Sequence, residues 1–357
     1  MKTAIIGLPM TGKTSLFTIL TGTRQETRIG STAARTGVAK VPDARLGELA
    51  RLFEPGKVTH ATVEYVDMPS ISRENLRDPS YVASLRVVDA FAHVLRLFAD
   101  ASIPHEKGSV DPLRDLEDVE TELILSDFAV IEKRLERLDK DRKKIKNPEL
   151  DREFELLTAC KTALEENRPL RQIEFGPEDE KRIRGFQFLS QKPVLYVLNL
   201  GEEEAGQLHE REKAFLEGPL AGRRHTLAAA VCGKIEAELA ELPAAEQADY
   251  LASYGLKESG LQRLISATYA LLGLMSFLTA GEDEVRAWTI PMNSPAVKAA
   301  GAIHSDFEKK FIRAEVVNWK ALTDLGGYAG VREKGLLRLE GKEYIVKDGD
   351  VLVIRHG

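Results

Sequence analysis

The run GLPMTGKT at residues 7–14, inside the opening MKTAIIGLPMTGKTSLFTILTG, decides how the rest of the chain is read. Ahead of it, Thr3 to Ile6 is a short apolar run suited to a buried parallel strand; behind it, Ser15 to Leu20 continues as an amphipathic helix. Glycines at such a turn let the backbone bend and approach a ligand closely, the turn's N–H groups surround an anion, and the helix N-terminus adds its positive end. The pattern therefore predicts a phosphate cradle made by Gly7, Pro9, Met10, Thr11, Gly12, Lys13, Thr14 and Ser15. Lys13 is expected at the β- and γ-phosphates and the Thr14 hydroxyl on Mg²⁺.

Further elements of a nucleotide site are expected at later strand tips. ATVEYV (61–66) ends in Asp67, which is placed to hold Mg²⁺ through a water. PVLYVL (193–198) ends in Asn199 with Glu202 three residues on, where guanine-binding proteins read the base. The acid is a Glu, however, and Leu200 stands in place of the usual lysine, so adenine and guanine both remain open. His225 to Val231 is a fourth strand running into Cys232-Gly233-Lys234, with Cys232 either closing over the base edge or serving as a small buried residue.

At 357 residues the chain exceeds one ordinary core, and its net charge of -6 gives no global footprint for nucleic acid. Cys160 and Cys232, far apart and in no ligand spacing, point to neither a disulfide framework nor a zinc site, and to a cytoplasmic setting. The longest apolar stretch, Leu261 to Ala280, reads as one packed helix and not as a membrane span. Ile124, Phe128, Ile131, Leu135 and Leu138, with Leu150, Phe154, Leu157 and Leu164 beyond a turn at Asn147-Pro148, predict two antiparallel helices with one apolar seam. The stretch Lys133 to Lys146 holds eight Lys or Arg against three acids, a basic tip or a solvated surface. From Thr279 the texture changes to short strands at 285–290, 312–317, 344–346 and 351–354, with twelve basic and twelve acidic residues and Lys309, Lys310 and Arg313 as the most basic spot.

Together with GLPMTGKTSLF, the segments VPDARL (41–46), SVDPLRDLEDVETELILSDF (109–128), KPVLYVLN (192–199), KIEAEL (234–239), FLTAGEDEVRAWTI (277–290) and AAGAIHSDFEKKFIRAEV (299–316) resemble the YchF family of Obg-related P-loop NTPases, in order and over almost the whole chain. The resemblance implies an α/β, Ras-like nucleotide-binding domain with a mostly parallel sheet (1–112 and 187–278). It implies an inserted antiparallel coiled coil (113–186) and an α+β β-grasp domain of the TGS type (279–357). ATP preferred over GTP, Mg²⁺, slow hydrolysis and association with ribosomes or ribosomal RNA follow as expectations. Protein partners are an open expectation; a membrane or DNA is not expected, and a monomer is the default.

Departures from the family pattern bear on mechanism. Met10-Thr11 replaces a usual Asn-Val, and STAARTG replaces a Thr-Ile-x-Pro-Asn switch run, placing Ser31 as an Mg²⁺-sensing hydroxyl with Thr32 as its competitor. The second switch reads DMPS, so Ser70 stands where a Gly would flip toward the γ-phosphate. No glutamine follows it, and His105 in ASIPHEKGSVDP is the candidate for positioning water. Two readings stand: a slow ATPase with Lys13 and His105 as its catalytic groups, and a non-hydrolysing nucleotide-binding scaffold. A small-molecule kinase is disfavoured, because the coiled coil and C-terminal tail would add nothing to that reaction.

Overall fold

The computed structural model describes residues 1–23 and 34–357. Its strands, in chain order, are β1 (Lys2–Ile6), β2 (Arg35–Lys40), β3 (Lys57–Thr59), β4 (Thr62–Asp67), β5 (Ala90–Arg96), β6 (Val194–Asn199), β7 (Thr226–Val231), β8 (Leu274–Ala280), β9 (Glu284–Pro291), β10 (Phe311–Asn318), β11 (Arg338–Glu340) and β12 (Asp350–His356). They build two six-stranded sheets, ordered β2-β4-β1-β5-β6-β7 and β11-β10-β12-β8-β9-β3. The chain divides into two compact units, Met1–Gly37 with Glu64–Ala267, and Val38–Val63 with Thr268–Gly357. Residues 38–63, read from the sequence as part of the nucleotide-binding portion, thus join the second unit.

In the first unit β4, β1, β5, β6 and β7 pair in parallel, so their carboxyl ends share one edge of the sheet. That edge is where an open α/β sheet leaves its ligand crevice. Phe91, Leu95 and Leu198 of the sheet join Ile6 and Leu8 around β1, and Leu116, Val119 and Leu123 of the helix Pro112–Arg142 pack on them. Each fully buried Leu or Phe adds about 1.5–3 kcal/mol. β5 (AFAHVLR) is buried at every position. A strand covered on both faces has no alternation to read, which is why the sequence did not disclose it.

The helical hairpin has chemically marked ends. Asp111 caps the helix Pro112–Arg142 by accepting from the Arg114 N–H, and Asn147 caps Pro148–Glu165 by accepting from Glu149, each followed by a proline in the first turn. Ile124, Ile131 and Leu138 meet Leu157 and Leu164 in a buried seam, with Phe128, Leu135, Leu150 and Phe154 along it. The first helix has 31 residues, roughly 46 Å at its rise per residue. Asp127, 0 % exposed, fastens the hairpin to the turn before β6, accepting from the Leu189 N–H at 2.9 Å and the Ser190 N–H at 2.7 Å.

In the second unit β8 pairs antiparallel with β9 and parallel with β12, β10 is antiparallel to β11 and β12, and β3 adds a parallel edge to β9. The helix Ala296–Ile303 lays Ala296, Ala299 and Ala300 onto Phe277, Ile290, Val316 and Leu352. The single helix expected over 261–280 is corrected here: a helix Gly260–Leu271 stops, Gly273 takes φ 63°, and β8 follows. A glycine accepts the left-handed position that ends a helix, and β9 and β12 supply the strand's hydrogen bonds. The expected strand at 344–346 is reduced to one bridge, Pro295 to Ile345. Among the described residues no helix is long and apolar enough to cross a membrane.

Burial raises the Asp127 carboxyl from its ordinary 3.8 to about 6, against the opposing hydrogen bonds from Ser190 and Leu189. The folded chain therefore holds a proton that the unfolded chain has lost between those values, so this group's contribution to stability falls as pH rises through the window and is level above it. Urea unfolding of Asp127→Asn beside the unaltered chain is expected to show the variant gaining on the order of 2–3 kcal/mol, relative to its deficit at pH 4, by pH 7.

Candidate nucleotide site

β1 delivers the chain into the glycine turn, and the helix Lys13–Thr21 leaves it. Gly7 has φ 142°, and a Cβ there would lie 2.7 Å from the Val94 carbonyl oxygen. Gly12 has φ 96°, and a Cβ there would lie 2.5 Å from Asn199 Nδ2. Neither position admits a side chain. Met10 takes φ 59° with its side chain exposed, whereas Thr11 is buried and its hydroxyl donates to the Leu8 carbonyl at 3.2 Å. The Met-Thr pair thus splits its labour, one side chain outward and one bracing the turn. Ser15 is exposed on the first turn of the helix, and Pro9 is half-buried in the loop.

Lys13 is 7 % exposed, and its ammonium donates to the Leu8 carbonyl at 2.5 Å and to Ser70 Oγ at 3.1 Å. Desolvation pulls its pKa from 10.5 down to about 8, opposed by the charges of Asp67 and Glu106. The Thr14 hydroxyl donates to Asp67 Oδ2 at 3.1 Å, and the Arg35 guanidinium pairs with the same oxygen. A hydroxyl and a carboxylate converging at a strand tip are hard oxygen donors, the small protein share that Mg²⁺ takes when phosphates supply the rest, and Thr14 and Asp67 fit it. Ser31 and Thr32, the other candidates for the metal, lie outside the described residues. Ser70, read from the sequence only as a lost glycine, gains a positive contact as the hydroxyl partner of Lys13.

On the base side, Asn199 is 5 % exposed and uses both ends of its amide: Nδ2 donates to the Thr11 carbonyl at 3.0 Å, and Oδ1 accepts from the Gly233 N–H at 3.0 Å. Leu200 and Cys232 are buried at 2 % and 1 %, and burial pushes the Cys232 thiol up, so both side chains fill cores. Glu202 is half-exposed; Oε1 accepts from the Tyr254 hydroxyl at 2.9 Å and Oε2 pairs with the Lys234 ammonium. These contacts, Lys234 first, hold its carboxyl below the usual range.

His105 has its ring turned to Asp115, Nε2 to Oδ2 at 2.9 Å, while Nδ1 accepts from the Lys107 N–H at 3.1 Å. That pattern puts the proton on Nε2. The ring is 4 % exposed, and Arg114 completes the cluster through the other Asp115 oxygen. His93 on β5 was missed with its strand. It lies under the glycine turn, Cδ2 being 3.4 Å from a Cβ built on Gly7. Burial first, then the Lys13 and Arg171 charges, depress its pKa to about 3, keeping it neutral beneath the phosphate loop.

A family profile described as YchF-GTPase_C, protein of unknown function (DUF933), matches residues 274–357. The chain is 40 % identical over 363 residues to a protein of Bacillus subtilis (strain 168) called ribosome-binding ATPase YchF, covering 99 % of each. A protein of the same name from Escherichia coli O157:H7 is 38 % identical over 365 residues, covering 98 % of each. Among solved structures, the YchF GTPase of Schizosaccharomyces pombe aligns with a TM-score of 0.84 at 28 % identity, covering 99 % of this chain and 97 % of that one.

Removing the Asn199 amide strands the Thr11 carbonyl and the Gly233 N–H, each an interaction loss of about 1–3 kcal/mol where water cannot replace it. Asn199→Ala is expected to weaken adenine and guanine nucleotides alike by at least about tenfold, measured by calorimetry, because it loosens the loop and not a base contact. Retention of affinity would show the glycine turn to be self-supporting.

Proposed function

The chain belongs to the YchF family of P-loop NTPases, and on that premise we propose that it is a slow, Mg²⁺-dependent ATPase that prefers ATP to GTP and works on the ribosome in the cytoplasm. The observation that carries the reading is the convergence of Lys13, Thr14 and Asp67 beside a turn whose two glycines cannot take side chains. The N–H groups of the turn and the N-terminus of Lys13–Thr21 orient a triphosphate, and the Lys13 ammonium, leaving Leu8, moves onto its β- and γ-oxygens. Thr14 and Asp67 would hold Mg²⁺, which supplies charge neutralisation across those oxygens. Little covalent help is then needed from the protein.

The preference for adenine rests on Glu202 and Leu200. A guanine reader needs a carboxylate that accepts from the ring and exocyclic N–H groups, whereas the Glu202 oxygens are engaged by Lys234 and Tyr254. Leu200 is in the core and brings no cation to the base. Slowness follows from His105, whose two ring nitrogens are engaged by Asp115 and Lys107; the ring must turn before it orients a water. Titration with ATP, ADP, GTP and GDP in Mg²⁺, followed by single-turnover hydrolysis, tests this. Adenine nucleotides are expected to bind at least about tenfold tighter. Turnover is expected to vanish in Lys13→Ala and to slow in His105→Ala. Guanine preference, or turnover that survives Lys13→Ala, would refute the assignment.

Ribosome association is brought from the relatives' names, and the hairpin tip is the surface we assign to it. Arg142 pairs with Asp151, and Lys143 with Asp139, which trims the positive charge read from the sequence. Lys140, Lys144 and Lys146 remain exposed beside Ile145, 61 % exposed. Phosphate contacts made by such a tip release counterions and weaken with salt. Changing Lys140, Lys144 and Lys146 together to Glu is expected to abolish co-sedimentation with ribosomes while nucleotide affinity is unchanged.

A further inference from the structure

Arg35, the cation seated on Asp67, has no part in the proposed binding or hydrolysis, yet it lies on the oxygen that Thr14 also meets. Its Nη2 pairs with Asp67 Oδ2, the oxygen that also accepts from Thr14, and its guanidinium carbon stands 5.4 Å from the centre of the Phe17 ring. The Asp67 side chain is 8 % exposed and that of Arg35 is 24 % exposed. A carboxylate this enclosed is stabilised by a paired cation, and the Arg35 guanidinium is seated on it. The register that sets Ser31 on the first position of the family's Thr-Ile-x-Pro-Asn run sets Arg35 on its Asn, so the cation belongs to this chain's own departure.

We propose that Arg35 is a resident counter-cation of the metal site, competing with Mg²⁺ for Asp67 and thereby setting the Mg²⁺ concentration at which nucleotide is held. The inference rests on the nucleotide-binding reading above. With Thr14 and Arg35 both donating to Asp67 Oδ2, the two lone pairs of that oxygen are engaged, and a metal ion or its water that uses this oxygen must displace one of them. Binding of the metal is therefore weakened by the fraction of molecules in which Arg35 is seated. When Arg35 swings off, Asp67 is left to the metal; when it returns, it neutralises Asp67 and removes the penalty of a bare buried carboxylate. The same exchange eases emptying of the site, since the state without metal is already charge-compensated. Phe17 gives the guanidinium its apolar platform on the Asp67 side.

The test is the affinity of full-length protein for ADP and for the non-hydrolysable triphosphate AMP-PNP, by calorimetry, across graded free Mg²⁺ and in EDTA. Arg35→Ala, and Arg35→Gln, which keeps a stem over Phe17, are expected to reach half-saturation at about tenfold lower Mg²⁺, equivalent to ~1.4 kcal/mol. Their affinities in EDTA are expected to change by less than about twofold, and Arg35→Lys is expected to stay near the unaltered chain. An unchanged Mg²⁺ dependence in both Ala and Gln variants overturns the proposal. So does an equal gain with and without Mg²⁺, which would make Arg35 a steric plug. Failure of the unaltered chain to bind either nucleotide at any Mg²⁺ overturns the nucleotide-binding reading and this inference with it, whereas normal binding with unaltered Mg²⁺ dependence removes only the inference.

Discussion

The amide of Asn199 is the interaction on which the site depends. It reaches across 188 residues to the Thr11 carbonyl and across 34 to the Gly233 N–H, so one side chain at the tip of β6 sets the distance between the phosphate loop and the loop that follows β7. Gly12 is held against it so closely that a Cβ would meet Nδ2 at 2.5 Å. A carboxylate of the same shape could accept from Gly233 but could not donate to Thr11, and a shorter side chain could not span the gap. The parallel sheet makes this possible, because β1, β6 and β7 all end on the same edge.

Around that clamp the charges form a chain of mutual neutralisation. Lys13 rests on Leu8 and Ser70 near Asp67; Asp67 is answered by Arg35; Glu202 is answered by Lys234. Each pairing lowers the cost of enclosing an ion; in the proposed function those of Lys13 and Asp67 give way to ligand, whereas Glu202 keeps Lys234. Farther out, Asp127 has no cation on it among the described residues: two backbone N–H groups offset only part of the cost of burial, which still disfavours the anion.

Legibility differed by the kind of physics involved. The cradle, the strand tips carrying Asp67 and Asn199, and the hairpin seam were readable because each is a local rule: a turn needs glycine, a polar residue breaks an apolar run at the strand's end, a seam repeats at helical spacing. β5 and β8 were not, since a strand buried on both faces has the same apolar texture as a core helix, and Gly273 alone separated the two in the run 261–280. His93 was hidden with β5. The two faces of Ser70 show the same limit: in sequence it is only a missing glycine, and its contact with Lys13 joins residues 57 positions apart.

By itself the sequence determined that this is an α/β P-loop protein with two antiparallel helices and a strand-rich C-terminal region, because helix spacing, glycine geometry and capping act over a few residues. Tertiary structure alone decided that Leu200 and Cys232 belong to cores, that His105 faces Asp115, that Glu202 is claimed by Lys234 and Tyr254, and that Arg35 is the cation on Asp67. Those outcomes depend on which side chains the sheet and its loops bring within about 3 Å of each other, and a hydrogen bond or ion pair has no strength until that distance is met.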